Sequence, residues 1–164
     1  MNVVNNESLA SHIRSLCRRL DNEMVYEKSI TNFIIVDLGN IHDFLPFADS
    51  QPHLFKECNI IAFADHHFNG YGVNPRCRRS IGLHVSGTTS RNAADVSMIW
   101  FVARQTVNHK CNFYFLTKDK GFREIENLCC ECGSDATFYN DSASFIKAYS
   151  ECKMQQCDAP FSCH

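Results

Sequence analysis

At 164 residues and 45% hydrophobic, the chain is long enough for one domain with a core of its own. A formal net charge of -2 and a pI near 6.4 exclude a global basic field, so any contact with a polyanion has to come from a local patch. No apolar run reaches the length of a membrane span, and Met1 to Ser8 lack a signal-peptide core, so a cytoplasmic protein with no membrane partner is expected.

Leu9, Ile13, Leu16, Cys17 and Leu20 recur at helical spacing and predict an amphipathic N-terminal helix, with Asn6 or Ser8 as its cap. Arg14, Arg18 and Arg19 lie mostly off that stripe and read as a solvated face. The run Phe33-Ile34-Ile35-Val36 predicts a strand buried on both faces, and it delivers Asp37, Gly39 and Asn40 at its carboxyl end. Pro46 and Pro52 break the segment from Ile41 to Cys58 into a short helix and a loop. Ile60 to Ala64 predicts the second buried strand, closing on Asp65, His66 and His67. Asp65 is expected to form a turn, and the two histidines to be loop residues.

A Gly- and Pro-containing loop from Asn69 to Pro75 leads to Arg76, Arg78 and Arg79, the densest basic run in the chain. Ile81, Leu83 and Val85 alternate with Gly82, His84 and Ser86, as in a half-buried or edge strand. After a turn at Gly87 to Ser90, the stripe Val96, Ile99, Trp100, Ala103 and Val107 predicts a helix with Asp95 in its first turn, where the helix dipole favours a carboxylate. Phe113 to Leu116 is the next buried strand and delivers Thr117 and Asp119. Phe122, Ile125, Leu128 and Cys129 mark another helix with Gly133 past its end, Ala136 to Tyr139 a last strand, and Phe145, Ile146, Tyr149 and Cys152 a final helix opened by Ser142 or Ser144.

Strands alternating with helices predict an α/β three-layer sandwich with a mostly parallel central sheet. The domain plan is an N-terminal helical extension over 1–30, the α/β domain over 31–151, and a Cys-rich tail over 152–164. Ten cysteines are many for a reducing compartment, where a disulfide framework is not expected. Cys129, Cys130 and Cys132, and the tail Cys152, Cys157, Cys163 and His164, lack the paired spacing of a zinc site; Cys17, Cys129 and Cys152 fall in helical patterns and read as small buried apolar residues.

In a parallel α/β fold, strand ends and the helix starts that follow crossovers share one rim. Asp37, Asp95 and Asp119 are all placed there. Gathered carboxylates raise one another's pKa unless a cation holds them, and an all-oxygen set favours Mg²⁺ or Mn²⁺. Asn40 adds an amide that can orient water or another ligand, and Thr117 a hydroxyl beside Asp119. Lys118, Lys120 and Arg123 flank the trio and, with Arg76, Arg78 and Arg79, are the candidate contacts to a phosphate backbone.

Asp37-Leu38-Gly39-Asn40 resembles the D-x-x-N opening of NYN-type ribonucleases of the PIN-like superfamily. Asn92-Ala93-Ala94-Asp95 is similar to their middle motif, an acid opening a long apolar helix, and Thr117-Lys118-Asp119-Lys120-Gly121-Phe122 to their third, Ser/Thr-x-Asp-x-x-Phe at a strand end. The match spans about Phe33 to Phe122. It implies a metal-dependent endoribonuclease acting on single-stranded or looped RNA, with Asp37, Asp95 and Asp119 as metal ligands and Asn40 and Thr117 in support. Many of these nucleases carry a further acid where this chain has Gly121, which opens a one-metal site or an inactive PIN-like scaffold that binds RNA, a protein partner or a second copy. A phosphatase using Asp37 as nucleophile ranks last, because the D-x-D pair is missing.

Overall fold

The computed structural model describes residues 26–67, 81–85 and 92–157. Its centre is a five-stranded, all-parallel sheet in the order β3-β2-β1-β4-β5. The strands are β1 (Asn32–Asp37), β2 (Asn59–Ala64), β3 (Ile81–Val85), β4 (Asn112–Leu116) and β5 (Asp135–Tyr139). Around them run α1 (Phe44–Ser50), α2 (Ala93–Asn108), α3 (Glu124–Glu131) and α4 (Ser142–Cys157), with short 3-10 turns at Pro52–Phe55 and Lys120–Arg123. The predicted N-terminal helix, the Asn69–Pro75 loop, the arginines at 76, 78 and 79, the turn at 87–90 and the cysteines at 17 and 163 lie outside the described residues.

The alternation within β1 builds the layers. Phe33 and Ile35 face a core closed by Met98, Phe101 and Val102 of α2 and by Ile125 and Cys129 of α3. Ile34 and Val36 face the opposite core, closed by Phe44, Leu45 and Ala48 of α1 and by Phe145 of α4. With helices on both faces, interior strands have no solvated side, which is why they read as continuous apolar runs. Edge strand β3 departs from its expected alternation: His84 is buried edge-on to Phe63, while Leu83 and Val85 are only half-buried.

The stripe on α2 runs the other way from a core stripe. The helix forms, but it buries Ser97, Met98, Phe101, Val102 and Gln105, and turns Val96, Ile99, Trp100 and Val107 outward. The buried polar pair is satisfied locally, Ser97 Oγ donating to the Ala93 carbonyl and Gln105 Nε2 to the Tyr26 hydroxyl. Leu128 of α3 is likewise exposed, whereas Ile125 and Cys129 meet the core as expected. Gly133 ends α3 at φ 73°, a left-handed conformation suited to glycine. Cys58, Cys111 and Cys129 are buried free thiols; Cys152, expected inside, is exposed, as are Cys130 and Cys132. Burial pushes the Cys129 thiol up to about 11, so it packs as a small apolar group.

The chain runs β1 to β3 toward one edge, then crosses back to place β4 on the other side of β1. That reversal is a topological switch point, and it lies between the carboxyl ends of β1 and β4.

Candidate functional site

The register of β1 against β4 pairs Val36 with Leu116, so the next residues out, Asp37 and Thr117, stand side by side at the switch point. Asp37 is buried, and three groups hold its carboxylate. The Gly39 amide donates to Oδ1 at 2.9 Å; Asn40 Nδ2 and the Thr117 hydroxyl donate to Oδ2 at 2.5 and 2.8 Å. A carboxylate offers about four acceptor directions, which leaves one open, on Oδ1. Thr117 is buried as well, and its oxygen also accepts the backbone amide of Asp119 at 3.1 Å. It therefore couples the first acid to the third.

Asp119 is exposed at the start of the turn after β4, and its Oδ1 accepts the Gly121 amide at 2.8 Å. Both acids thus use one local device, an Asp closing a turn onto the amide of a glycine two residues on. The glycines sit close against these carboxylates. A Cβ at Gly39 would meet Asp37 Oδ1 at 3.1 Å, and one at Gly121 would meet Asp119 Oδ1 at 3.2 Å. The repeated Asp-x-Gly was the signal in the sequence, and reading the motifs one at a time passes over it.

Asp95 comes from the first turn of α2 and is half-buried. Burial first, and then the negative charges of Asp37 and Asp119, hold its carboxyl above the usual range. The three acids expected to meet are therefore electrostatic neighbours. Among the described residues, no group of three His, Cys, Asp or Glu side chains stands close enough to hold one ion as placed. In kind, the donors fit a hard divalent cation: all are oxygens, and their mutual repulsion raises Asp95 in the way an unneutralised acidic cluster does. Asp37, Asp95 and Asp119 are the residues that would hold it, with Asp37 contributing through its open Oδ1 direction.

Lys118, Lys120 and Arg123 are exposed around Asp119, leaving a cationic border to an acidic centre. The other strand-end acids are engaged locally. Asp65 Oδ1 accepts the His67 amide at 2.9 Å, the turn role expected of it. Asp141 caps α4, accepting the Ser144 amide at 2.7 Å and its hydroxyl at 2.8 Å, and these bonds hold its carboxyl below the usual range. The His66 and His67 rings lie 3.7 Å apart, tilted by 44°, and His66 Nδ1 is buried without a partner among the described residues.

No protein-family model, curated protein or solved structure matches the chain.

Proposed function

We propose that the chain is a metal-dependent endoribonuclease of the PIN-like, NYN type, acting on single-stranded or looped RNA. The observation that carries the reading is Asp95, whose carboxyl is raised by its burial first and then by the charges of Asp37 and Asp119. It is supported by Thr117, which ties the Asp37 carboxylate to the backbone amide of Asp119 on the same rim. Mg²⁺ or Mn²⁺ bound there would neutralise the trio and supply the Lewis acidity that in-line attack on a phosphodiester needs. Thr117 and Asn40 hold Asp37 in a single orientation, so the acceptor direction it offers is fixed before substrate arrives. Lys118, Lys120 and Arg123 contact the phosphates flanking the scissile bond, and accessible bases of unpaired RNA spare the protein a larger basic surface.

The test is cleavage of a labelled single-stranded RNA with Mg²⁺ or Mn²⁺, beside an EDTA control and Asp37→Asn. Cuts that need the metal and vanish in D37N are expected, with the far-UV spectrum of the variant unchanged. A fully active D37N sinks the proposal. Metal-independent RNA binding without cleavage favours the scaffold reading instead, for which the three protein donors already on Asp37 are the supporting observation.

A further inference from the structure

A cavity of about 330 Å³ lies between α4 and the β4–β5 side of the sheet, at the small end of the range for sites that enclose a drug-sized ligand. Its walls come from separate elements: Asn112 and Tyr114 from β4, Tyr139 from β5, Tyr149 and Lys153 from α4, and Asn32 from the start of β1. Asn32 and Asn112 stand at the amino ends of their strands, whereas the acidic rim lies beyond the carboxyl ends. Asp37, Asp95 and Asp119 take no part in lining the cavity.

The wall is aromatic, with polar groups left over. The rings of Tyr114 and Tyr149 meet edge to face, 5.9 Å apart at 85°, and form a corner. The Tyr149 hydroxyl is taken up by Cys58 Sγ at 3.1 Å. Those of Tyr114 and Tyr139 have no hydrogen-bond partner among the described residues, although both side chains are half-buried. Burial also holds both phenols above the usual tyrosine range, so they stay neutral and able to donate at any ordinary pH. Asn112 is aligned by a relay. Its Nδ2 donates to Asn32 Oδ1 at 2.8 Å, and Asn32 Nδ2 donates to the Glu57 carbonyl at 3.2 Å. One N–H and the carbonyl oxygen of the Asn112 amide are left over, a donor and an acceptor side by side. The charged side chains in the wall, Lys153 and Glu57, are paired with each other.

We infer that this cavity binds an uncharged, planar heteroaromatic ring, the base of a nucleoside, seated in the Tyr114–Tyr149 corner and read by Asn112. A flat ring there stacks on one tyrosine and meets the edge of the other. An amide with adjacent donor and acceptor is the partner that pairs with the N6 and N7 edge of adenine. The Tyr114 and Tyr139 hydroxyls supply further hydrogen bonds, to ring nitrogens or ribose hydroxyls. With Lys153 neutralised by Glu57, the wall offers a phosphate no unpaired cation, so the base is recognised and not the charge.

The test is isothermal titration of the full chain with each of the common ribonucleosides, adenosine being the expected best. Saturable binding at a single site per chain is expected, unchanged by EDTA. Asn112→Ala should weaken it roughly ten-fold or more. Tyr114→Phe, which keeps the ring and its packing, should weaken it several-fold, with unfolding midpoints of both variants near the parent's. Adenosine 5′-monophosphate should bind no tighter than adenosine. A short oligoadenylate that displaces adenosine, and is weakened by the same variants, makes the source an unpaired base of a strand; one that fails to displace it makes the source a free nucleoside. No saturable heat with any ribonucleoside overturns the inference, as does equal affinity in the parent and both variants. Much tighter binding of the monophosphate also overturns it, by assigning the cavity to a phosphate.

Discussion

Thr117 has two tasks that no other side chain in the rim shares. It donates to Asp37 in a buried bond and accepts from the Asp119 amide in a partly buried one. Thr117→Val keeps the volume and removes both bonds, leaving a buried carboxylate short of a donor. The expected loss is about 1–3 kcal/mol of stability, measured by denaturant unfolding, with RNA cleavage falling further than stability does. Asp95 makes a different prediction. Folding raises its carboxyl above the ordinary 3.8, so the folded chain binds that proton more tightly than the unfolded chain does. The associated stability is fully present below 3.8 and is lost as pH rises through the raised value. Asp95→Asn should therefore melt at a higher temperature than the parent at neutral pH, with the gap closing on acidification. Mn²⁺ should stabilise the parent and not the variant; equal stabilisation of both would remove Asp95 from the ligand set.

At the scale of elements, Phe145 holds α4 to the sheet. It is fully buried and contacts Phe44, Phe55, Tyr114, Tyr139 and Tyr149 at ring-centroid distances of 5.2 to 6.2 Å. Phe145→Ala should cost about 3–5 kcal/mol in chemical denaturation, since the five rings around it are held by separate elements and cannot all collapse into the space. The interior strands β1, β2 and β4 were legible because burial between two helical layers leaves apolar and aromatic residues between their ends. The helices were legible as helices, but not always in their orientation. On α2, periodicity picked out Val96, Ile99, Trp100 and Val107, while the true core face carries Ser97 and Gln105 among its apolar residues. Their hydroxyl and amide are satisfied by Ala93 and Tyr26, partners that hydropathy cannot anticipate. In the rim, Asp37, Asn40, Thr117 and Asp119 could be read from strand ends alone. The bond from Thr117 to Asp37 could not, because it depends on which strand lies next to β1.

For the whole molecule, a net charge of only -2 with Lys118, Lys120 and Arg123 exposed beside Asp119 would make the RNA affinity we propose a local matter. Replacing Lys120 and Arg123 by Ala should weaken single-stranded RNA binding uniformly across sequences. If each side chain neutralises one phosphate, the double replacement should also flatten the salt dependence by about 0.7 for every phosphate left without its cation. An unchanged salt slope would mean that the RNA runs elsewhere on the surface. The central position of β1 has a temporal side too. Its partner strand β4 and the donor Thr117 lie far downstream, with 80 residues separating Asp37 from Thr117. During translation, Asp37 leaves the ribosome long before its partner has been made. The long loop that joins them must close before any interaction across the switch point can reward it. Nascent chains halted before β4 should hold no such rim, so the acids gather only on a polypeptide whose sheet is nearly finished.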